Sequence, residues 1–283
     1  MGEPAYLHYD QQALDAQYNN RARVPEAAEH LVFYESESAR VREALSCHLK
    51  VPYGESEPER LDVFLPAGAE PAPVQVFFHG GYWHLLDSFD FSFVASPIVA
   101  AGGLAVIVNY ALLPGVTMEE LLRQCRASIR WVREHIGEYG GDPERICISG
   151  HSAGGHITAM MLADPETAGS VRGGVAISGL YDLEAIRLCY LNDVLRLTAD
   201  QARRHSPIHA PPARDRAVVV VYGGRESEEF ERQSETYADA IMGSGHRCAL
   251  TRLPEHDHFT IVRVLAEREG DTTGLLLSQM GLV

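Results

Sequence analysis

Six short apolar runs constrain this chain more than any other feature: Val74-Gln75-Val76-Phe77-Phe78, Leu104-Ala105-Val106-Ile107-Val108, Arg145-Ile146-Cys147-Ile148-Ser149, Gly174-Val175-Ala176-Ile177, Ala217-Val218-Val219-Val220-Val221-Tyr222 and Cys248-Ala249-Leu250-Thr251. Helical patterns separate many of them, the clearest over Met118 to His135, Glu228 to Ile241 and Phe259 to Glu269. A run that is apolar at nearly every residue is buried on both faces. Such runs alternating with amphipathic helices therefore predict a mostly parallel sheet with helices on both sides and right-handed crossovers.

Two earlier runs differ. Ala44 to Val51 and Leu61 to Pro66 read as strands, and the strict apolar/polar alternation of the second predicts a half-exposed antiparallel pair at the sheet edge. The expected architecture is an eight-stranded α/β sheet with antiparallel edge strands. Residues 1–43 are polar and helix-prone and are expected to form a helical N-terminal arm. Residues 181–212 carry helical segments between strands, and insertions at the carboxyl ends of strands flank the ligand crevice, so this segment is a candidate cap or pocket wall. No Gly/Ser- or Pro-rich linker divides the chain, and residues 1–283 are expected to form a single domain.

Composition narrows the function classes. A net charge of −15 opposes binding to phosphate backbones and acidic membranes, so neither a nucleic-acid nor a membrane partner is expected. Met1-Gly2-Glu3-Pro4-Ala5 lacks the basic and apolar regions of a signal peptide, which points to a cytoplasmic enzyme acting on a small molecule. The five cysteines, Cys47, Cys125, Cys147, Cys189 and Cys248, have no C-x-x-C spacing and read as buried thiols. An exposed helix or strand edge is compatible with a homodimer, although no motif specifies one.

The chemistry centres on Gly150-His151-Ser152-Ala153-Gly154, a G-x-S-x-G sequence directly after an apolar strand and before the apolar helix face Ile157 to Leu162. Glycines on either side allow a strained turn that projects the serine hydroxyl, although an inert strand-to-helix corner fits the pentapeptide alone equally well. A serine hydroxyl needs a base and a third group that orients the base. The loop after the last strand supplies His258, with His256 as its competitor. The loop after the preceding strand supplies Glu226, whereas Glu228 and Glu229 suit the first turn of the next helix, where the dipole favours acids. A loop histidine pair also permits metal binding, but no further ligands lie at suitable spacing, so neither metal nor cofactor is expected. Oxyanion donors are expected at the N–H groups of Ala153, Gly81 and Tyr82. Tyr82, Trp83 and His151 are expected to line the substrate pocket.

Taken together, His79-Gly80-Gly81-Tyr82-Trp83, Gly150-His151-Ser152-Ala153-Gly154-Gly155-His156, Glu226 to Phe230 with Arg232-Gln233-Ser234, and Asp257-His258-Phe259 resemble the kynurenine formamidase (arylformamidase) group of α/β hydrolases. Hormone-sensitive-lipase-like esterases usually read HGGG and G-D-S-A-G, whereas this chain has Tyr82 and His151 at the differing positions. The resemblance implies Ser152 as nucleophile, His258 as base, and the His79 loop with Ala153 as the oxyanion hole. It departs at Glu226, where the animal formamidases have aspartate. It implies a serine hydrolase cleaving an aryl-formamide or ester through an acyl-enzyme. A general carboxylesterase on short-chain esters is the alternative, and a non-catalytic small-molecule receptor a remote one.

Overall fold

A computed structural model describes residues 4–68 and 71–283. Residues 1–3, part of the N-terminal segment read above, lie outside the described residues. The strands are β1 (Cys47–Pro52), β2 (Arg60–Phe64), β3 (Ala72–Phe78), β4 (Leu104–Val108), β5 (Gly141–His151), β6 (Gly173–Ile177), β7 (Ala217–Gly223) and β8 (Cys248–Leu253). They form one sheet in the order β1-β2-β4-β3-β5-β6-β7-β8, parallel from β4 to β8 and antiparallel at β1 and β2. Strand alternation divides the core in two. Val74, Val76 and Phe78 pack on one face with Val106 and Ile148, while Phe77 packs on the other with Ile107, Cys147 and Val175.

The helices before the sheet are α1 (Gln11–Tyr18), α2 (Asn20–Arg23) and α3 (Ala27–Ala44), which make up the expected arm. Within the sheet come α4 (Ala95–Ala100), α5 (Met118–His135), α6 (Ala153–Ala163) and α7 (Pro165–Ser170). The insertion after β6 carries α8 (Leu183–Leu188), α9 (Asn192–Leu195) and α10 (Ala199–Arg204), and the chain ends with α11 (Glu228–Gly243), α12 (Thr260–Arg263) and α13 (Asp271–Met280). Helix α5 follows its sequence pattern closely. Thr117 caps it by accepting from Glu120 N, acids occupy its first turn, and Leu121, Leu122, Cys125, Ile129 and Val132 form its buried face.

Local differences from expectation have clear causes. Strand β2 is buried from Leu61 to Phe64 rather than half exposed, because it pairs with both β1 and β4 and is covered on both faces. The exposed pattern belongs to the true edges, β1 and β8, whose residues are all half-buried or exposed. The segment Phe259 to Glu269 forms only the short α12 and a 3-10 turn. The chain then turns at Gly270, where an added Cβ would lie 2.3 Å from the Val264 carbonyl oxygen, and α13 packs Leu276, Leu277 and Met280 into the core. Cys125, Cys147 and Cys189 are buried, whereas Cys47 and Cys248 are half-buried. No described helix is long and apolar enough to cross a membrane.

The register sets the site. Phe78 pairs with Gly150, His151 with Ile177, Ile177 with Val221, and Gly223 with Leu253. The loops after β3, β5, β6, β7 and β8 therefore all emerge along one rim. The chain winds outward in opposite directions from β3 and β5, and this switch in direction opens a crevice between their loops.

Candidate active site

Strand β5 passes into α6 through Ser152 at φ +57° and ψ −116°. A side chain in the left-handed region costs about 1–3 kcal/mol, so the surroundings must hold it there. The Ser152 N–H donates to the Ile177 carbonyl at 2.8 Å, and the Ser152 carbonyl accepts from His156 N at 3.1 Å. The neighbouring glycines let the backbones close around this turn: a Cβ on Gly150 would lie 2.3 Å from the Gly154 oxygen, and one on Gly154 1.9 Å from the Phe78 oxygen.

Glu226 and His258 meet on the same rim. His258 Nδ1 lies 2.5 Å from Glu226 Oε1. The other carboxylate oxygen accepts from Ser178 Oγ at 2.8 Å and from Gly223 N at 2.7 Å, so both oxygens are engaged. Because a Cβ on Gly223 would lie 2.3 Å from the His256 oxygen, glycine is what lets the loops after β7 and β8 touch. Asp257 accepts from the N–H groups of Phe259 and Thr260, fixing the backbone around His258, whose ring packs 4.6 Å from Phe230 and 4.5 Å from His151. His256 turns away toward Asp271, at 3.4 Å. The acids beyond Glu226 also separate: Ser227 precedes α11, Glu228 faces Tyr9, and Glu229 is fully buried, paired with Arg232 at 2.7 Å rather than solvated.

Ser178 has no counterpart in the sequence reading. Its one signal is position, a hydroxyl immediately after the apolar β6, at the strand end where ligand-facing groups collect.

Beneath the loop after β3, the ring of His79 stacks on Tyr110 at 4.2 Å and directs Nδ1 at the Gly80 carbonyl, 2.7 Å away. Burial pushes its pKa down to about 4, so the ring is a neutral strut. Gly81 takes φ +111°, with its missing Cβ only 2.0 Å from the Leu85 oxygen, a position closed to any other residue. Among the described residues no oxygen accepts from the N–H groups of Gly81, Tyr82 or Ala153.

Trp83 does not line a pocket. At φ +59° it turns into the core, fully buried, and its Nε1 donates to His156 Nδ1 at 3.2 Å. His156 Nε2 then donates to the His205 carbonyl at 2.8 Å, a pairing that requires the neutral ring, and burial holds its pKa at about 3.

Ser152, His258, Tyr82 and His151 open into one cavity of about 230 Å³. His151 is buried, its pKa held well below the usual histidine range, and its Nε2 has no partner. The cavity's outer wall comes from the arm and from the 181–212 insertion, read above as a candidate cap or pocket wall, though the sequence reading names no lining residue in either. The arm supplies Asn20, Arg21 and Tyr34, and the insertion supplies Tyr190 and Val194. Tyr82 joins the two sides: its hydroxyl donates to the Tyr18 carbonyl at 2.8 Å and accepts from Asn20 Nδ2 at 3.0 Å.

A strained serine at a strand-to-helix turn, with an imidazole–carboxylate pair on the neighbouring loops, defines a class before any comparison is made. The chain belongs to the alpha/beta hydrolase family, whose model matches residues 75–262. Over most of its length it is similar to kynurenine formamidase of Danio rerio, at 33% identity across 89% of this chain and 88% of the other, and it is a kynurenine formamidase-like hydrolase. A shorter stretch, 34% of this chain and 30% of the other, is 40% identical to carboxylesterase NlhH of Mycobacterium tuberculosis. Among solved structures, a proposed thioesterase from Silicibacter sp. tm1040 superposes with a TM-score of 0.82 at 29% identity, covering 92% of this chain and 97% of that one.

Proposed function

We propose that the protein is a serine hydrolase that cleaves a small aryl-formamide, of the N-formylkynurenine type, through an acyl-enzyme. The observation that carries this reading is the short Glu226–His258 pair, whose imidazole lines the same cavity as Ser152. With Nδ1 committed to Glu226, Nε2 is the ring position left to take a proton. As Ser152 Oγ attacks the carbonyl carbon, its proton passes to His258 Nε2, and Glu226 stabilises the imidazolium. The N–H groups of Gly81, Tyr82 and Ala153 receive the developing oxyanion, the contribution that is usually largest in such reactions. His258 returns the proton to the leaving amine. Water, deprotonated by the same ring, then breaks the Ser152 ester and releases the acid.

The cavity, at about 230 Å³, falls below the usual range for drug-sized ligands, which favours a small substrate. The full-length similarity to a formamidase supports the amide reading, and the partial similarity to a carboxylesterase supports the second, short-chain esters cleaved by the same residues. We further place residues 1–283 in one catalytic unit in the cytoplasm, without a nucleic-acid partner. A homodimer would join exposed sheet edges, which sedimentation velocity tests.

The deciding experiment compares kcat/KM on N-formylkynurenine with that on p-nitrophenyl acetate and butyrate, for the native chain and for Ser152→Ala. We expect the formamide to be preferred and Ser152→Ala to lose at least about 10⁴-fold on every substrate while keeping its thermal midpoint. Ester turnover without formamide turnover selects the carboxylesterase reading. Undiminished turnover by Ser152→Ala removes both.

A further inference from the structure

The cavity wall has an unusual charge distribution for so acidic a protein. The chain carries 39 acidic against 24 basic side chains, yet no carboxylate lines the cavity, and Arg21 is the one lining residue with a permanent charge. Arg21 is exposed and takes part in none of the ion pairs among the described residues, whereas Arg23, two residues on, donates to the Glu226 carbonyl, and Arg187 of the insertion pairs with Glu184. Arg21 is also held in place. Its neighbour Asn20 is buried and tied to the Tyr82 hydroxyl, which fixes α2 against the loop after β3. Burial lowers the pKa of His84 and the Arg21 charge lowers it further, while at Tyr190 burial raises the pKa and the Arg21 charge opposes the rise.

An unpaired guanidinium at the mouth of an aromatic, carboxylate-free cavity is a receptor for one anionic group. We propose that Arg21 is a specificity-determining residue that binds a carboxylate carried by the substrate away from its scissile bond. A single planar fork of N–H donors matches one carboxylate in two parallel hydrogen bonds. A phosphate dianion is a poorer match, because the other polar groups of the mouth add no permanent second cation: Asn19 and the Tyr190 hydroxyl are neutral, and burial together with the Arg21 charge disfavours the protonated form of His84. Arg21 is exposed whereas Ser152 and His258 are buried, so its contribution is to affinity and orientation.

The inference deepens the reading of the preceding subsection and rests on it for the reacting bond, but its test runs on either bond type. Two matched pairs are used: an aryl-formamide whose ortho side chain ends in a carboxylate against the same compound as carboxamide, and the corresponding pair of phenyl acetates. For the native chain the acid member should be favoured about tenfold in kcat/KM, mainly through KM, and raising the salt from low to high should erode the ratio. A tenfold ratio corresponds to about 1.4 kcal/mol, in the range of a charge-assisted hydrogen bond. Arg21→Gln should bring the ratio near one by raising KM for the acid, and Arg21→Lys should restore part of it. A ratio near one in the native chain, or an unchanged ratio in Arg21→Gln, overturns the proposal. Failure of the formamide pair alone, with the ester pair keeping its charge preference, overturns the formamidase reading and leaves Arg21 in place. If Arg21→Gln does not fold, the native chain still decides: an aryl carboxylate should slow fluorophosphonate labelling of Ser152 more than its carboxamide does, and equal protection counts against the proposal.

Discussion

The two walls of the cavity are built on different principles. The inner wall consists of loops at the ends of parallel strands, each built on a local turn and tied to its neighbour along the rim: the Gly150–Gly154 turn to Ile177, the Gly223–Glu226 turn to Ser178, and the Asp257 cap beside His258. The outer wall is the arm, and nothing within the arm alone fixes it there. It is held by a buried polar network in which Tyr18 donates to Glu229 at 2.9 Å and accepts from Gln233 at 2.8 Å, and Tyr6 donates to Asp182 at 2.5 Å. On the proposed function, bond cleavage falls to loops at adjacent strand ends, and substrate contact to a surface that exists only once more distant segments have met.

The sharpest way to break this contrast is at Glu226. Its two oxygens serve three donors, so shortening the side chain by one methylene in Glu226→Asp cannot preserve all of them in the present backbone. We expect kcat to fall about 100-fold with KM little changed, the scale of a misplacement of roughly 1 Å in a catalytic group. Near-native kcat would mean that the loop after β7 adapts, and that the inner wall is less rigid than described.

Acid stability probes the inner wall as a whole. His79 and His156 are held near 4 and near 3, against 6.5 for a free ring. As the pH falls below about 6.5, the unfolded chain takes up protons that the folded chain refuses, so stability declines with falling pH, down to about pH 4 for His79 and pH 3 for His156. Each ring contributes a slope of about 1.4 kcal/mol per pH unit within its window. Urea midpoints at pH 7, 6 and 5 should fall accordingly, and His156→Gln should flatten the decline. A flat profile in the native chain would contradict the burial of these rings.

The smallest effect is expected on the outer wall. Tyr18→Phe removes the hydroxyl between Glu229 and Gln233, but Arg232 still pairs with Glu229. The expected cost is about 1–2 kcal/mol in urea unfolding, with a rise of a few fold in KM. An unchanged KM would show that the arm covers the site without shaping it.

The same division explains what the sequence disclosed. Ser152, Glu226 and His258 stand out as candidates because strand, turn and helix signals surround each of them, and strand order puts their loops on one rim. Arg21 and Asn20 do not, because their position depends on a hydroxyl more than sixty residues away, on Tyr82, for which the arm carries no pattern. Trp83 was misjudged for a related reason: its side chain direction follows from a left-handed backbone angle that its residue type does not announce. Glu229 looked like an ordinary acid at a helix start, and only the packing of α1 against α11 buries it.

Tyr82 belongs to both walls: its backbone N–H is one of the proposed oxyanion donors, and its hydroxyl joins Tyr18 and Asn20. A relative could therefore exchange its first forty-odd residues and inherit a new molecular preference while retaining its bond-cleaving apparatus, provided that the transplanted segment still offers that phenol a carbonyl and an amide. Without them, the graft would disturb the donor geometry as well as the choice of substrate.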